Sequence, residues 1–253
     1  MSNRLLDRRE LLACLSGILV GGCESRQRDA GTIIVGSSAT GVPFSFVDPW
    51  TNQLTGAMID TLRAVTERAG LPIELRTTPF SALIPSLLAR KIDMIAAAML
   101  RTQERERIVA FSEPVFAYSG GLAVPRNDTR RYPSLRELRQ LRVGAQVGTR
   151  FVDQVKAAGI ERVLTYDNLS AMLRDLSHGR IDAAYGDAPI LRYQLHVGPR
   201  RGVRMVQEFV APAQEELCFV MRQGEALLPR IDAAIAALRH SRIPAIVRHW
   251  NLV

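Results

Sequence analysis

The chain has 253 residues, of which 47% are hydrophobic, so it can bury a sizeable core and is long enough for one large α/β domain or two lobes. Its formal net charge of +8 raises nucleic acid as a partner. The arginines are scattered over the whole chain with few aromatics among them, and no helix-turn-helix, zinc or RNA-binding pattern occurs, so no nucleic-acid partner is expected. A basic surface suits acidic lipid headgroups or anionic solutes equally well.

The first 30 residues stand apart from the fold. Arg4, Arg8 and Arg9 form a positive start, Leu11 to Val20 is an apolar run too short to cross a bilayer, and Gly21-Gly22-Cys23 closes it. This pattern reads as an export signal, followed by a short polar tether from Ser25 to Ala30. Val20-Gly21-Gly22-Cys23 is similar to a bacterial lipobox, which implies that Cys23 is lipidated and anchors a periplasmic or extracytoplasmic protein to the membrane. Arg8-Arg9 before Glu10-Leu11-Leu12 also resembles a twin-arginine signal, with Asp7 where serine or threonine is usual. Beyond the signal only Cys218 remains, so no internal disulfide, metal cluster or thiol-catalytic set is expected, and no cofactor.

The folded part opens with Thr32 to Gly36, a β-branched strand, then a loop carrying Pro43-Phe44-Ser45-Phe46. Gly56 to Asp60 leads into a helix through Leu62, Val65 and Ala69 to Gly70, and Leu71 to Arg76 alternates as a second strand. Phe80 to Lys91 spaces Leu83, Leu87 and Leu88 as a short amphipathic helix. Ile92 to Met99 is nearly continuous apolar sequence of strand length and runs into the charged turn Arg101-Thr102-Gln103-Glu104-Arg105, which is able to start a new helix. A strand, helix, strand, helix, strand order implies a mostly parallel sheet, whose ligands bind beyond the carboxyl ends of its strands.

Val115 to Val124 reads as a strand crossing into a second lobe. Ser134 caps a short helix to Leu138, Leu141 to Gln146 is a strand, and Val147-Gly148-Thr149-Arg150 turns into a helix from Phe151 to Ala158. Val163 to Tyr166 is a strand, Asn168 to His178 a helix, and Gly179 to Asp187 a glycine turn into a buried strand that ends on a carboxylate. Glu208 to Pro212 is expected to cross back, Leu217 to Met221 to add a buried strand to the first lobe, and Leu227 to Leu238 and Ile243 to Trp250 to be helices.

Several of these segments carry a shared pattern: Ser81-Ala82-Leu83-Ile84-Pro85-Ser86-Leu87, Lys91-Ile92-Asp93, Thr102 to Arg105, Phe111-Ser112-Glu113-Pro114, and Val143-Gly144 with Gly148-Thr149. Together with Pro43 to Phe46, Gly56 to Asp60 and Trp250 they resemble the family 3 extracytoplasmic solute-binding proteins of polar amino acid ABC importers, over residues 31 to 253. The resemblance implies an α/β, two-lobed periplasmic-binding-protein fold of type II, each lobe a mostly parallel sheet flanked by helices, with two crossing hinge strands. Residues 31–117 plus 213–253 would form lobe 1 and residues 118–212 lobe 2. It also implies a monomer that delivers a small carboxylate-bearing solute to a membrane ABC permease.

By the same resemblance Arg105 clamps the ligand's α-carboxylate, a role that its planar, permanently charged fork suits. Thr149 shares that carboxylate at a helix N-terminus, Asp187 holds the α-ammonium group, and Phe80 presents a ring to the ligand's side chain. Ala98, Leu100, Arg150 and Ser38 complete the expected ligand-binding set. Five positions depart from the family pattern. Leu100 stands where a serine or threonine is common, Ser38 where binders of basic amino acids carry an acid, Gly41 where an aromatic ring is frequent, and Arg101 and Arg150 add positive charge near the cleft. These features argue for an acidic or small polar amino acid, or another carboxylate, and against lysine or arginine. Two alternatives share the scaffold: an enzyme similar to periplasmic cyclohexadienyl dehydratases, with Glu104, Glu113 or Asp187 as the acid, and a ligand-sensing subunit. No nucleophile, base and orienting group can be assembled from the sequence, so a non-enzyme is expected.

Overall fold

A computed structural model describes residues 31–198 and 202–252. The export signal, Cys23 and the tether lie outside the described residues. Strand β1 (Ile33–Ser37) is buried along its whole length, as its β-branched run requires. A small antiparallel sheet follows, made of β2 (Thr40–Gly41), β3 (Ser45–Val47) and β4 (Leu54–Thr55). Helix α1 (Ala57–Ala69) buries Met58, Leu62, Val65 and Ala69, spaced at four, three and four residues, and ends on Gly70 in the left-handed conformation. Strand β5 (Ile73–Thr77) returns beside β1 in parallel.

A 3-10 turn at Phe80–Ala82 enters α2 (Leu83–Leu88), whose Leu83 and Leu87 are fully buried and whose Leu88 is exposed. After it come β6 (Met94–Ile95), the single-turn helix α3 (Gln103–Glu106), β7 (Val109–Phe111) and the ten-residue strand β8 (Phe116–Pro125). Ser134 and Glu137 then form a reciprocal capping box on a 3-10 turn at Leu135–Leu138. The chain continues through β9 (Val143–Gln146), α4 (Arg150–Ala157), β10 (Val163–Tyr166), α5 (Leu169–Ser177), β11 (Ala183–Asp187), α6 (Ala188–Val197) and β12 (Val203–Met205). Strands β13 (Gln214–Leu217) and β14 (Val220–Arg222) and helices α7 (Leu228–Leu238) and α8 (Arg242–His249) complete it.

Two large sheets result, ordered β5-β1-β6-β14-β7 and β10-β9-β11-β8-β12. In each, three parallel strands are followed by one antiparallel strand from a distant part of the chain, β14 in the first and β8 in the second. Strand β8 also pairs with β13 at its beginning, with Tyr118 opposite Glu215 and Phe116 opposite Leu217. The two sheets are therefore joined through a two-stranded ribbon.

Three expectations need correction. The apolar run Ile92 to Met99 is a strand only at Met94–Ile95, because β1 and β14 each pair with it there alone. Ala96 to Leu100 stay buried but leave the ladder through a tight turn in which the Met99 amide donates to the Ala97 carbonyl at 2.7 Å. The return crossing is made by Gln214–Leu217, beginning six residues after the Glu208 at which it was expected; residues 208–212 form no strand. Leu217 to Met221 is buried throughout, yet it is shared between β13 and β14, which pair in different sheets, so the chain turns at Cys218-Phe219. Strands β7 and β12 and the small sheet leave no periodic mark in the sequence, being two or three residues long.

Candidate functional site

Helix α3 is a single turn held by its cap: the Thr102 hydroxyl accepts the Arg105 backbone N–H at 3.2 Å. This places the Arg105 guanidinium, half-buried where Arg107 two residues on is exposed, against two carbonyls. Nη1 donates to the Leu100 carbonyl at 2.7 Å and Nη2 to the Gly148 carbonyl at 2.8 Å. The first belongs to the chain leaving β6 in the first sheet, the second to the turn after β9 in the second. Arg105 therefore ties the carboxyl ends of strands from both sheets together. Burial lowers its pKa below the ordinary arginine value, which still leaves it charged.

The turn it reaches is built for close approach. Gly148 has φ +74°, a conformation that favours glycine, and a Cβ there would stand 3.1 Å from Cα of Ser81 on the facing 3-10 turn. Thr149 is buried at the N-cap position of α4 but does not cap it, since its hydroxyl donates to the Gln146 carbonyl at 2.7 Å. A hydroxyl so used keeps its acceptor lone pairs, and the α4 N-terminus behind it is electropositive.

Asp187 ends β11 and is 4% exposed. It occupies the N-cap position of α6 without capping it. Its Oδ1 instead accepts the hydroxyl of Tyr118 from β8. Burial pushes this carboxyl up to about 6, against the opposing pull of the Tyr118 bond and the Arg105 charge. Tyr118 is itself buried, its ring stacked on Phe44 with centroids 5.4 Å apart, and its hydroxyl pKa is raised by burial and by Asp187.

Glu215 faces Tyr118 across the ribbon and is 2% exposed. It accepts from Arg150 Nη1 and from Gln154 Nε2 at 2.9 Å, both on α4, and the Tyr185 hydroxyl donates to Gln154 Oε1 at 2.6 Å. Burial raises the Glu215 pKa as well, opposed by Arg150 and Arg105. The Arg105 charge is felt at Tyr118, Asp187 and Glu215, so these groups share one electrostatic neighbourhood.

The other expected residues sort as follows. Ala98 and Leu100 are buried, and Leu100 contributes only its carbonyl. Ser38 is buried at the end of β1, and Phe80 is half-buried against the cluster that holds Leu83 and Ile34. Arg101 and Arg150 are not spare cations. Arg101 donates to Glu216 at 3.0 Å and to the Ser112 carbonyl at 2.6 Å, while Arg150 is paired with Glu215. Their charges are cancelled by partners on β13, so the repulsion expected to exclude a cationic ligand has no source in them. Tyr118, Glu215 and Gln154 escape a reading from sequence. Tyr118 looks like one apolar position in a strand, and Gln214-Glu215-Glu216 looks like solvated surface. Among the described residues no cluster of metal-binding side chains occurs, and Cys218 is fully buried with its thiol pushed up to about 12.

Comparison with known proteins decides the family. The pattern of the bacterial extracellular solute-binding proteins, family 3, matches residues 33–253. The chain belongs to that family. This family 3 protein is 28% identical over 237 residues to the ABC transporter arginine-binding protein 1 of Escherichia coli, spanning 92% of this chain and 93% of that one. An ancestral arginine-binding protein solved with arginine superposes with a TM-score of 0.78 at 32% identity, covering 87% of this chain and 98% of that chain. An ancestral arginine-binding protein solved with glutamine gives 0.79 at 32% identity, covering 88% of this chain and 98% of that chain. The family 3 protein thus has the type II periplasmic-binding-protein fold, two α/β lobes joined by the β8 and β13 strands.

Proposed function

We propose that this protein captures a polar α-amino acid outside the cytoplasm by closing its lobes around it, and hands it to a membrane ABC permease. The observation that carries the reading is the position of Arg105, whose guanidinium bridges the two sheets at their carboxyl ends within the field of a buried, uncapping Asp187. Arg105 takes the ligand's carboxylate on the N–H groups that the two carbonyls leave unused, since a charged acceptor holds a guanidinium more strongly than a neutral one. Thr149 and the N-terminus of α4 meet the same carboxylate from the other lobe, and Asp187 meets the α-ammonium. Phe80, Ala98, Leu100 and Ser38 line the side-chain end. Residues 31–117 plus 213–253 move as one lobe and 118–212 as the other, with the ribbon as hinge.

Pairing of Arg101 and Arg150 with glutamates widens the ligand class to neutral, acidic or cationic polar amino acids. The relatives support this breadth, one being named for arginine and ancestral arginine-binding proteins being solved with arginine and with glutamine. Cys23 carries the lipid that anchors the protein, which acts as a monomer and turns nothing over. A thermal-shift panel of the 20 common amino acids and small organic acids tests the reading. Some polar α-amino acid raises the melting temperature and its carboxamide does not; a response confined to ligands without a carboxylate defeats the proposal. Unchanged prephenate and arogenate after incubation with the protein separate it from the dehydratase alternative.

A further inference from the structure

We propose that Tyr118 is a positioning residue for the ammonium subsite, fixing the Asp187 carboxylate so that its second oxygen faces the ligand. The inference rests on the amino-acid-binding reading above and adds a residue to it. Asp187 ends its strand at the N-cap position of a helix, where an aspartate ordinarily turns back to cap the first amides; here it makes no such bond. What holds it is the Tyr118 hydroxyl on Oδ1.

Tyr118 is suited to fix rather than to compete. Its ring is locked by stacking on Phe44 at 5.4 Å and by packing near Phe116 at 6.0 Å, and it lies in the main core cluster. An incoming ammonium cannot displace a ring so enclosed. A carboxylate offers about four acceptor sites on two oxygens, so one oxygen can accept the tyrosine while the other takes the ligand. The groups facing Asp187 are Tyr118 from β8, Glu215 from β13, Arg105 from α3 and Tyr185 from its own strand. Of these Tyr118 alone is hydrogen-bonded to it, and that bond favours the ionised carboxylate that an ammonium needs. Because Tyr118 lies on the ribbon strand directly opposite Glu215, the subsite is aligned by the hinge itself.

The test is calorimetric titration of the purified protein and of Tyr118→Phe, which keeps the ring and removes one hydroxyl. The probes are L-arginine, L-histidine and L-glutamine, each beside the same acid lacking its α-amino group. The expected result is that Tyr118→Phe weakens the amino acid that binds best by about tenfold and leaves its des-amino partner within twofold. The pH below which amino-acid affinity declines moves upward in the same variant. Asp187→Asn abolishes the preference for the amino acid, and adding Tyr118→Phe to it costs nothing more. Equal weakening of both probe classes, or additive losses in the double variant, assigns Tyr118 a packing role and overturns the proposal. If the unaltered protein binds its best probe without preferring the amino group, the ammonium role of Asp187 fails and this inference with it. If none of these probes binds, the best amino acid of the thermal-shift panel replaces them, and if no amino acid binds at all the amino-acid reading itself falls.

Discussion

At the scale of the residue, Asp187 is held between opposing influences. Burial favours its protonated form, while Tyr118 and Arg105 favour the charged one, and the balance leaves the carboxyl at about 6. The sign of the consequence follows from linkage. A carboxyl whose folded pKa lies above its unfolded one contributes stability that is complete below the unfolded value and lost as the pH rises through 6. Under the proposed role of Asp187 a ligand ammonium needs the carboxylate, so amino-acid binding should release a proton in that same window. Affinity should therefore be level from pH 7 to 8 and fall below about 6, toward a limit of about tenfold per pH unit. Titrations in two buffers of different ionisation enthalpy at pH 5 should show proton release. Affinity that is flat down to pH 4.5 would mean that Asp187 does not face the charge. Arg105 was singled out in the sequence only by its resemblance to a family pattern in which it follows Thr102 by three residues; the Tyr118 bond left no such mark, because it joins residues 69 apart.

At the scale of the element, the proposed closure rests on the turn after β9 and on the ribbon. Gly148 combines a positive φ with a 3.1 Å approach to the opposing Ser81, so Gly148→Ala strains the turn and wedges the facing segments apart. Ligand affinity should drop at least tenfold while the melting temperature of the ligand-free protein falls by only a few degrees, about 1 kcal/mol of stability. Glu215 makes the opposite kind of contribution. Its carboxylate is almost wholly enclosed by Arg150 and Gln154, and Glu215→Ala would leave the Arg150 cation unpaired beside the ribbon. Arg150 keeps about a third of its side chain in water, so the loss should sit at the low end for a buried pair, about 3 kcal/mol by urea unfolding. A change below 0.5 kcal/mol would show the pair to be ornamental. These elements also show where pattern reading stops. Helix α1 is legible because its apolar spacing reports a buried face, and strand β1 because its short β-branched run is buried along its whole length. Strand β13 is polar in three of its four residues, and what buries Glu215 is a helix some 60 positions away.

At the scale of the whole molecule, the order of strands in the two sheets repeats one plan, and the ribbon of β8 and β13 is where the plans meet. The parallel cores of both sheets were foreseeable from alternating strand and helix signals. That Leu217 to Met221 adds a strand to the first lobe and Val115 to Val124 crosses into the second was also expected; the antiparallel pairing of β14 with β6 and of β8 with β11 was not, since it depends on contacts across the chain rather than on any local period. That same topology brings α3 from one sheet and the turn after β9 from the other within reach of a single guanidinium. The account stands on Arg105 receiving a ligand carboxylate there. Titration calorimetry of Arg105→Ala against the amino acid that binds the unaltered protein best tests it directly. The variant should give no heat of binding while its urea midpoint shows a loss of about 2 kcal/mol, that of two surrendered bonds to carbonyls. Retained affinity in a folded Arg105→Ala protein would contradict the account.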